Sequence, residues 1–242
     1  MSRVCFSPAV LRGRVQVPVS KSAAHRAMIA SFLAGEADPL PPRETVSGDL
    51  NATRSALVAL KTAKQSGQTA RIGCEESGST LRFLIPVAAA LGVPAVFTGR
   101  GRLPQRPLGV YLTCLPRHGA VCESGGGLPL KLSGRLRPGR YFLPGNVSSQ
   151  FVTGLMLALP LLGGDSEIRL TAPLESAGYV KMTARCLSDH GVRVFPAKAG
   201  WDIPGNQKYL PSHGKLERDW SQAAFFLAAG ALGGKVELAG LR

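Results

Sequence analysis

The sequence predicts an α/β fold of repeated strand–helix–strand–helix–strand–strand units packed around buried helices. Three observations carry that reading. Four segments begin on small hydroxyl or acidic residues and run into apolar helices that stop near glycine: SKSAAHRAMIASFLAG from Ser20, SGSTLRFLIPVAAALG from Ser77, SSQFVTGLMLALPLLGG from Ser148 and DWSQAAFFLAAGALGG from Asp219. They recur at near-even spacing along the chain, the mark of an internal structural repeat. Two of them, FVTGLMLALPLL and AAFFLAAGAL, have no polar face, and a helix that is apolar all round belongs in the middle of a domain.

Taken in order, the short apolar run at Val17–Val19 leads into the first helix. Second helices are expected over Asp49–Leu60, Arg106–His118 and Ser176–His190, each about thirty residues after a member of the first set. The runs VPAVF, KLSGRL, EIRLTA, VRVF and KVELAGL read as strands between them. The unit is thus expected three times and begun a fourth. Neither G-x-G-x-x-G nor a Walker A motif is present, which argues against a single dinucleotide-binding sheet.

Composition narrows the class. A chain of 242 residues can bury a substantial core, and 45% hydrophobic residues is a globular composition. The longest apolar stretch, Phe151–Leu162, is interrupted by Thr153, Gly154 and Pro160, too short and broken for a membrane span, so no membrane partner is expected. With no secretory signal pattern at the start, a cytoplasmic location is expected. Cys5, Cys74, Cys114, Cys122 and Cys186 are odd in number and lack C-x-x-C spacing, which points to free thiols rather than a metal site or disulfide framework. A formal charge of +14 calls for anionic partners. The 29 Lys and Arg are dispersed and aromatics are only 6%, so small phosphorylated metabolites are expected and nucleic acid is not.

The chemistry concentrates at the helix starts. The first backbone N–H groups of a helix have no partners inside it, and its dipole is positive there. Lys21, Ser22 and Arg26 at the first start, and Ser148, Ser149 and Gln150 at the third, therefore form anion sockets that can converge on one face. Each serine also reads simply as an N-cap, as does Asp49. His25 reads as a packing or hydrogen-bonding residue at the socket's edge, and Tyr179 alternatively as a core aromatic with a satisfied hydroxyl.

Six ordered motifs, PVSKSAAHRAMIASFLAG, ESGSTLRFLIPVAAALG, QRPLG, GNVSSQFVTGLMLALPLL, ESAGYVKMT and RDWSQAAFFLAAGAL, resemble those of the 5-enolpyruvylshikimate-3-phosphate synthase (3-phosphoshikimate 1-carboxyvinyltransferase) family. The resemblance runs from about Val10 to the end of the chain. A sister family that transfers enolpyruvyl to a UDP-sugar shares the fold, but its first motif normally has Asn after the Lys and lacks the His25-Arg26 pair.

The resemblance implies an inside-out α/β barrel: a three-repeat domain over 13–213, with 1–12 and 214–242 belonging to a second, similar domain. It implies that Lys21, Ser22, Arg26, Ser148, Ser149, Gln150, Ser176 and Tyr179 hold shikimate 3-phosphate. Lys21, Gly78, Arg106 and Gln150 would contact phosphoenolpyruvate, and Arg82 would play a structural part. The implied reaction transfers enolpyruvyl to the 5-hydroxyl and releases phosphate. It needs no metal or organic cofactor, and Lys21 is the candidate proton carrier.

Family members carry a second half of comparable size, which supplies acidic proton carriers. The fourth unit here only begins, so this chain by itself is expected to bind shikimate 3-phosphate weakly and to lack turnover. The alternative is a non-catalytic, phosphometabolite-binding half that pairs with a separate C-terminal chain. The helix around Ala223 is expected to lack part of its packing and to promote self-association. Glu217-Arg218-Asp219 departs from the family, which usually has Gly before the Asp, and leaves the crossover geometry there open.

Overall fold

Two apolar helices, α3 (Gly78–Leu91) and α5 (Ser149–Ala158), pack against each other at the centre of the molecule. The computed structural model describes residues 4–5, 9–40, 46–212 and 214–241. All of α3 except Ser79 and Leu91 is buried, as is all of α5 except Gln150.

Their contact is closed by three residues. Pro86 has no N–H, so the Arg82 carbonyl one turn earlier has no helical donor. The Tyr111 hydroxyl lies 2.9 Å from that carbonyl oxygen and 2.9 Å from the Phe151 carbonyl oxygen of α5. Gly154 makes the room, because a Cβ there would overlap both the Tyr111 hydroxyl and the Arg82 carbonyl. The Tyr111 and Phe151 rings meet edge to face at 4.8 Å.

Around this pair lie two four-stranded sheets with one topology. In the first, β2 (Ala70–Gly73) and β3 (Ala95–Thr98) are parallel, with α3 as the crossover, and β4 (Ala120–Glu123) and β5 (Leu130–Gly134) return antiparallel in the order β2-β3-β5-β4. The second repeats this with β6 (Arg140–Leu143), α5, β7 (Ser166–Leu170), β8 (Phe195–Ala197) and β9 (Gly200–Ile203), in the order β6-β7-β9-β8. Burial alternates along β2 and β6, so one face of each strand meets the helices. The second helices of the units are α4 (Gly109–Cys114) and α6 (Ala177–Asp189).

The expected βαβαββ unit is therefore complete twice. Its first copy supplies α1 (Lys21–Leu33) and α2 (Gly48–Ser66), with no four-stranded sheet of its own among the described residues. β1 (Arg12–Gln16), which straddles the boundary expected at residue 13, pairs in parallel with β10 (Lys235–Ala239). Between them in this small unit stands α7 (Trp220–Ala231), of which only Ala223 is buried.

Some local expectations change. The helix expected over Arg106–His118 is broken: α4 has six residues and is followed by a 3-10 turn over Leu115–His118. Pro107 forces Arg106 into an extended conformation (ψ 136°), and Pro116 cannot continue the α-helical bonding. Asp49 does not cap α2; Ser47 does, accepting from the Leu50 N–H. The run VRVF contributes only Phe195 to β8. Strands β1, β2, β4, β6 and β9 are short and carry charged or glycine residues, so their alternation gives little signal. No helix among the described residues is long and apolar enough to cross a membrane.

Candidate functional site

The starts of α1, α2, α3, α5 and α6 are tied together by side chains at one end of the molecule. At α1, Ser20 caps the helix through its Oγ, and the Lys21 ammonium sits 2.8 Å from the Asp49 carboxylate of α2. The Lys21 backbone N–H donates to Asp219, the N-cap of α7, at 3.3 Å. The crossover at Glu217-Arg218-Asp219 is clipped to the segment entering α1: Ser20 N–H donates to the Glu217 carbonyl and Asp219 N–H to that of Pro18.

The α3 start meets the α5 start at Gly78. A Cβ on Gly78 would lie 2.9 Å from Arg106 Nη1, 3.2 Å from Arg82 Nη1 and 3.4 Å from Gln150 Oε1. Arg82 Nη1 donates to Gln150 Oε1 at 2.7 Å, and Gln150 Nε2 donates to Ser79 Oγ at 3.0 Å. Arg82 lies over the Phe151 ring at 5.1 Å. Burial and the neighbouring Arg106 both work against its charge and hold its pKa below the ordinary arginine value. Two guanidiniums and a carboxamide thus face a wall on which only glycine fits without displacing one of them. Such a place favours an anion.

Arg26 is 3% exposed and bonded on every side. Its Nε donates to Thr183 Oγ1 at 2.8 Å, its Nη1 to the Ser22 carbonyl at 2.6 Å, and its Nη2 to Thr153 Oγ1 at 3.3 Å and the Tyr179 carbonyl at 3.1 Å. Burial lowers its pKa to about 10, so it stays charged at neutral pH. The open arginine fork expected for a phosphate is therefore already engaged. Arg26 joins α1, α5 and α6, and it fixes the backbone at Ser22 and Tyr179.

The remaining expected residues divide by exposure. Ser148 is the N-cap of α5, its Oγ accepting from Gln150 N–H at 3.3 Å, and Ser149 is buried beside it. Ser176 has φ 56°, a left-handed conformation uncommon for serine, and its side chain makes no capping bond. Tyr179 is 48% exposed, which removes the reading as a core aromatic. Both stand free at the α6 start, where Arg26 holds the Tyr179 carbonyl.

Sequence reasoning missed Asp49 as the partner of Lys21, and it missed a set of buried threonines: Thr53, Thr80, Thr153 and Thr183. The available signal was weak: a β-branched hydroxyl inside an apolar helix is a poor helix former and needs a reason to be there. Burial pushes the Cys74 and Cys186 thiols up to about 12, so neither is a thiolate nucleophile near neutral pH.

Residues 7–242 match the family model described as EPSP synthase (3-phosphoshikimate 1-carboxyvinyltransferase). The 3-phosphoshikimate 1-carboxyvinyltransferase of Clostridium kluyveri is 40% identical over 257 residues, covering 100% of this chain and 60% of that protein. The corresponding protein of Clostridium acetobutylicum is 40% identical over 256 residues, covering 98% and 60%. The chain thus spans about 60% of the length of these relatives. A solved structure of EPSP synthase from Acinetobacter baumannii superposes with a TM-score of 0.76 at 22% identity, over 96% of this chain and 56% of that one, which speaks for the fold. With a family model matched from residue 7 onward and a fold to go with it, the chain belongs to the EPSP synthase (3-phosphoshikimate 1-carboxyvinyltransferase) family.

Proposed function

We propose that this chain forms the shikimate 3-phosphate-binding part of an enzyme that transfers enolpyruvyl from phosphoenolpyruvate to the substrate's 5-hydroxyl, releasing phosphate. In this reading it works in the cytoplasm, in aromatic amino-acid biosynthesis. The supporting observation is the meeting of Arg82, Arg106 and Gln150 at Gly78.

In this reading Lys21 and Arg106 neutralise the charges of phosphoenolpyruvate, and Gly78 keeps the wall thin enough for that small ligand. Ser22, Ser148, Ser149, Gln150, Ser176 and Tyr179 hydrogen-bond shikimate 3-phosphate. Arg26 acts mainly through the backbone it fixes. The half-exposed pair between Lys21 and Asp49 is of a kind worth at most about 1 kcal/mol, so a ligand phosphate readily takes the place of Asp49. The 5-hydroxyl oxygen attacks the enol carbon as the methylene gains a proton, giving a tetrahedral intermediate. Loss of phosphate and of one methyl proton then restores the double bond. Lys21 is the proton carrier on this side, and prepositioned cations supply the electrostatic stabilisation. Further site residues come from the part of the relatives' length that this chain does not span, and turnover needs that part. The domain covers 13–213, with 1–12 and 214–242 in a second one.

Calorimetric titration tests the reading. The chain binds shikimate 3-phosphate, and Ser148→Ala and Gln150→Ala each weaken binding about tenfold, the equivalent of one hydrogen bond to a charged ligand. Gly78→Ala spares shikimate 3-phosphate and weakens phosphoenolpyruvate. Absence of any shikimate 3-phosphate binding, or affinity unchanged in both variants, overturns it.

A further inference from the structure

Below the site runs a buried chain of polar groups that no contact with a ligand explains. His25, 1% exposed on α1, places Nδ1 2.8 Å from Thr53 Oγ1 of α2. Thr53 Oγ1 lies 2.7 Å from Thr80 Oγ1 of α3, and Thr80 Oγ1 lies 2.7 Å from Ser77 Oγ, the N-cap of α3. The same Ser77 oxygen accepts from the Thr80 backbone N–H at 3.1 Å. Thr53 and Thr80 are fully buried, and Ser77 is 1% exposed. At the other end, His25 Nε2 is buried with no hydrogen-bond partner among the described residues, and the ring stands edge-on to Phe83.

Each hydroxyl has one hydrogen, so the His25–Thr53–Thr80 links run in one of two directions; Thr80 Oγ1 also lies 3.4 Å from the Asp49 carbonyl oxygen, a longer contact than the one to Ser77. If the Thr53 hydroxyl donates to His25, the imidazole hydrogen sits on Nε2, where it is a buried donor without an acceptor. If His25 donates to Thr53, Thr53 donates to Thr80 and Thr80 to Ser77, leaving only a bare lone pair at Nε2. Orphaned buried N–H groups are rarer than under-used acceptors. The second direction also gives the Ser77 oxygen two donors from Thr80. A doubly protonated ring would again orphan an N–H, now charged and near Lys21 and Arg26, with Asp49 opposing them among the described residues.

We infer that His25 is a positioning residue: neutral, with its hydrogen on Nδ1, it sets the direction of the Thr53–Thr80–Ser77 relay that holds the α3 start, and with it the Gly78 wall, against α1 and α2. The inference stands whichever anion fills the site. Its lowered pKa, about 3 and due first to burial, is in keeping with a ring that stays neutral.

Two measurements test it on the intact chain. Imidazole 15N shifts, with the His25 signals assigned by through-bond correlation in the uniformly labelled chain, show hydrogen on Nδ1 and no titration between pH 7.5 and 5. Hydrogen on Nε2, or a midpoint near 6.5, overturns the inference without any variant needing to fold. The second is amide exchange at Thr80. The side-chain amide nitrogen of asparagine sits where Nδ1 sits, whereas that of glutamine reaches the Nε2 position. His25→Asn therefore keeps Thr80 protection. His25→Gln speeds its exchange about tenfold, as loss of one buried hydrogen bond predicts, while Gln150 at the α5 start is unchanged. Equal effects of the two variants, or a uniform rise at both helix starts, leave His25 as core filling only and refute the role.

Discussion

Helices α5 and α7 are near twins in sequence and opposites in the structure. FVTGLMLAL and AAFFLAAGA are both apolar on every side, and each carries a glycine in its interior. In α5 only Gln150 escapes burial, whereas in α7 Phe225 is 74% exposed and Leu227 49%, with Leu232 just beyond at 88%. The glycines differ in the same way. A Cβ on Gly154 would strike the Tyr111 hydroxyl and the Arg82 carbonyl, while a Cβ on Gly230 would meet no atom of the described residues within 4 Å. An apolar pattern states a demand for burial; whether the demand is met depends on what the rest of the fold brings alongside. α5 has α3 and α6 around it, and α7 has little beyond β10 among the described residues.

Gly154→Val is expected to lower stability by at least about 3 kcal/mol, because backbone as well as side chain must move; thermal unfolding at the unmodified temperature would show α5 and α7 to be less different than they look. Tyr111→Phe should lose about 2 kcal/mol, since it leaves the Arg82 carbonyl buried without a donor beside Pro86. Denaturant titration with an unchanged slope checks that value.

Acid should act on the buried region next. The folded pKa of His25 is about 3, against 6.5 for a free histidine. The unfolded chain therefore binds a proton that the folded one refuses, and this contribution to stability is full above pH 6.5 and falls as the pH drops toward 3. At pH 5 the loss is about 2 kcal/mol. The difference in stability between the unmodified chain and His25→Asn, measured across that range, isolates it, and a flat difference would count against a buried neutral ring.

On the exposed side the effects shrink. Gly230→Ala should stabilise α7 locally by about 0.5–1 kcal/mol through helix propensity alone, read from amide exchange. Phe225→Ser with Leu232→Lys should change stability by no more than about 0.5 kcal/mol. The pair should instead remove any rise of melting temperature with protein concentration, the signature of self-association through this face. A concentration-independent transition in the unmodified chain would dispose of self-association.

Much of the site was legible because its elements are local. A cap and the helix it opens lie within a few residues, so Ser20, Ser77, Ser148 and Asp219 announced the starts of α1, α3, α5 and α7. The repeat of βαβαββ units followed from their spacing, and six motifs in order pointed to the family. The proline-broken segment after Arg106 also had its signal in Pro107 and Pro116, which outweighed the apolar periodicity there.

What stayed hidden involves partners far apart in the chain. Arg26 reads as a ligand-gripping arginine until Thr153, Tyr179 and Thr183 close around it. Asp49 reads as a cap until Lys21 reaches it, and the alternative reading of Tyr179 as a core aromatic falls once α6 turns it outward. Where helices start, which faces must be buried and which residues lie at the helix starts are written in the local chain, since capping and periodicity act over a turn or two. Which cations are open and which already bonded, which apolar helix is covered, and the meeting of Arg82, Arg106 and Gln150 at Gly78 are contacts between segments that folding alone brings into reach.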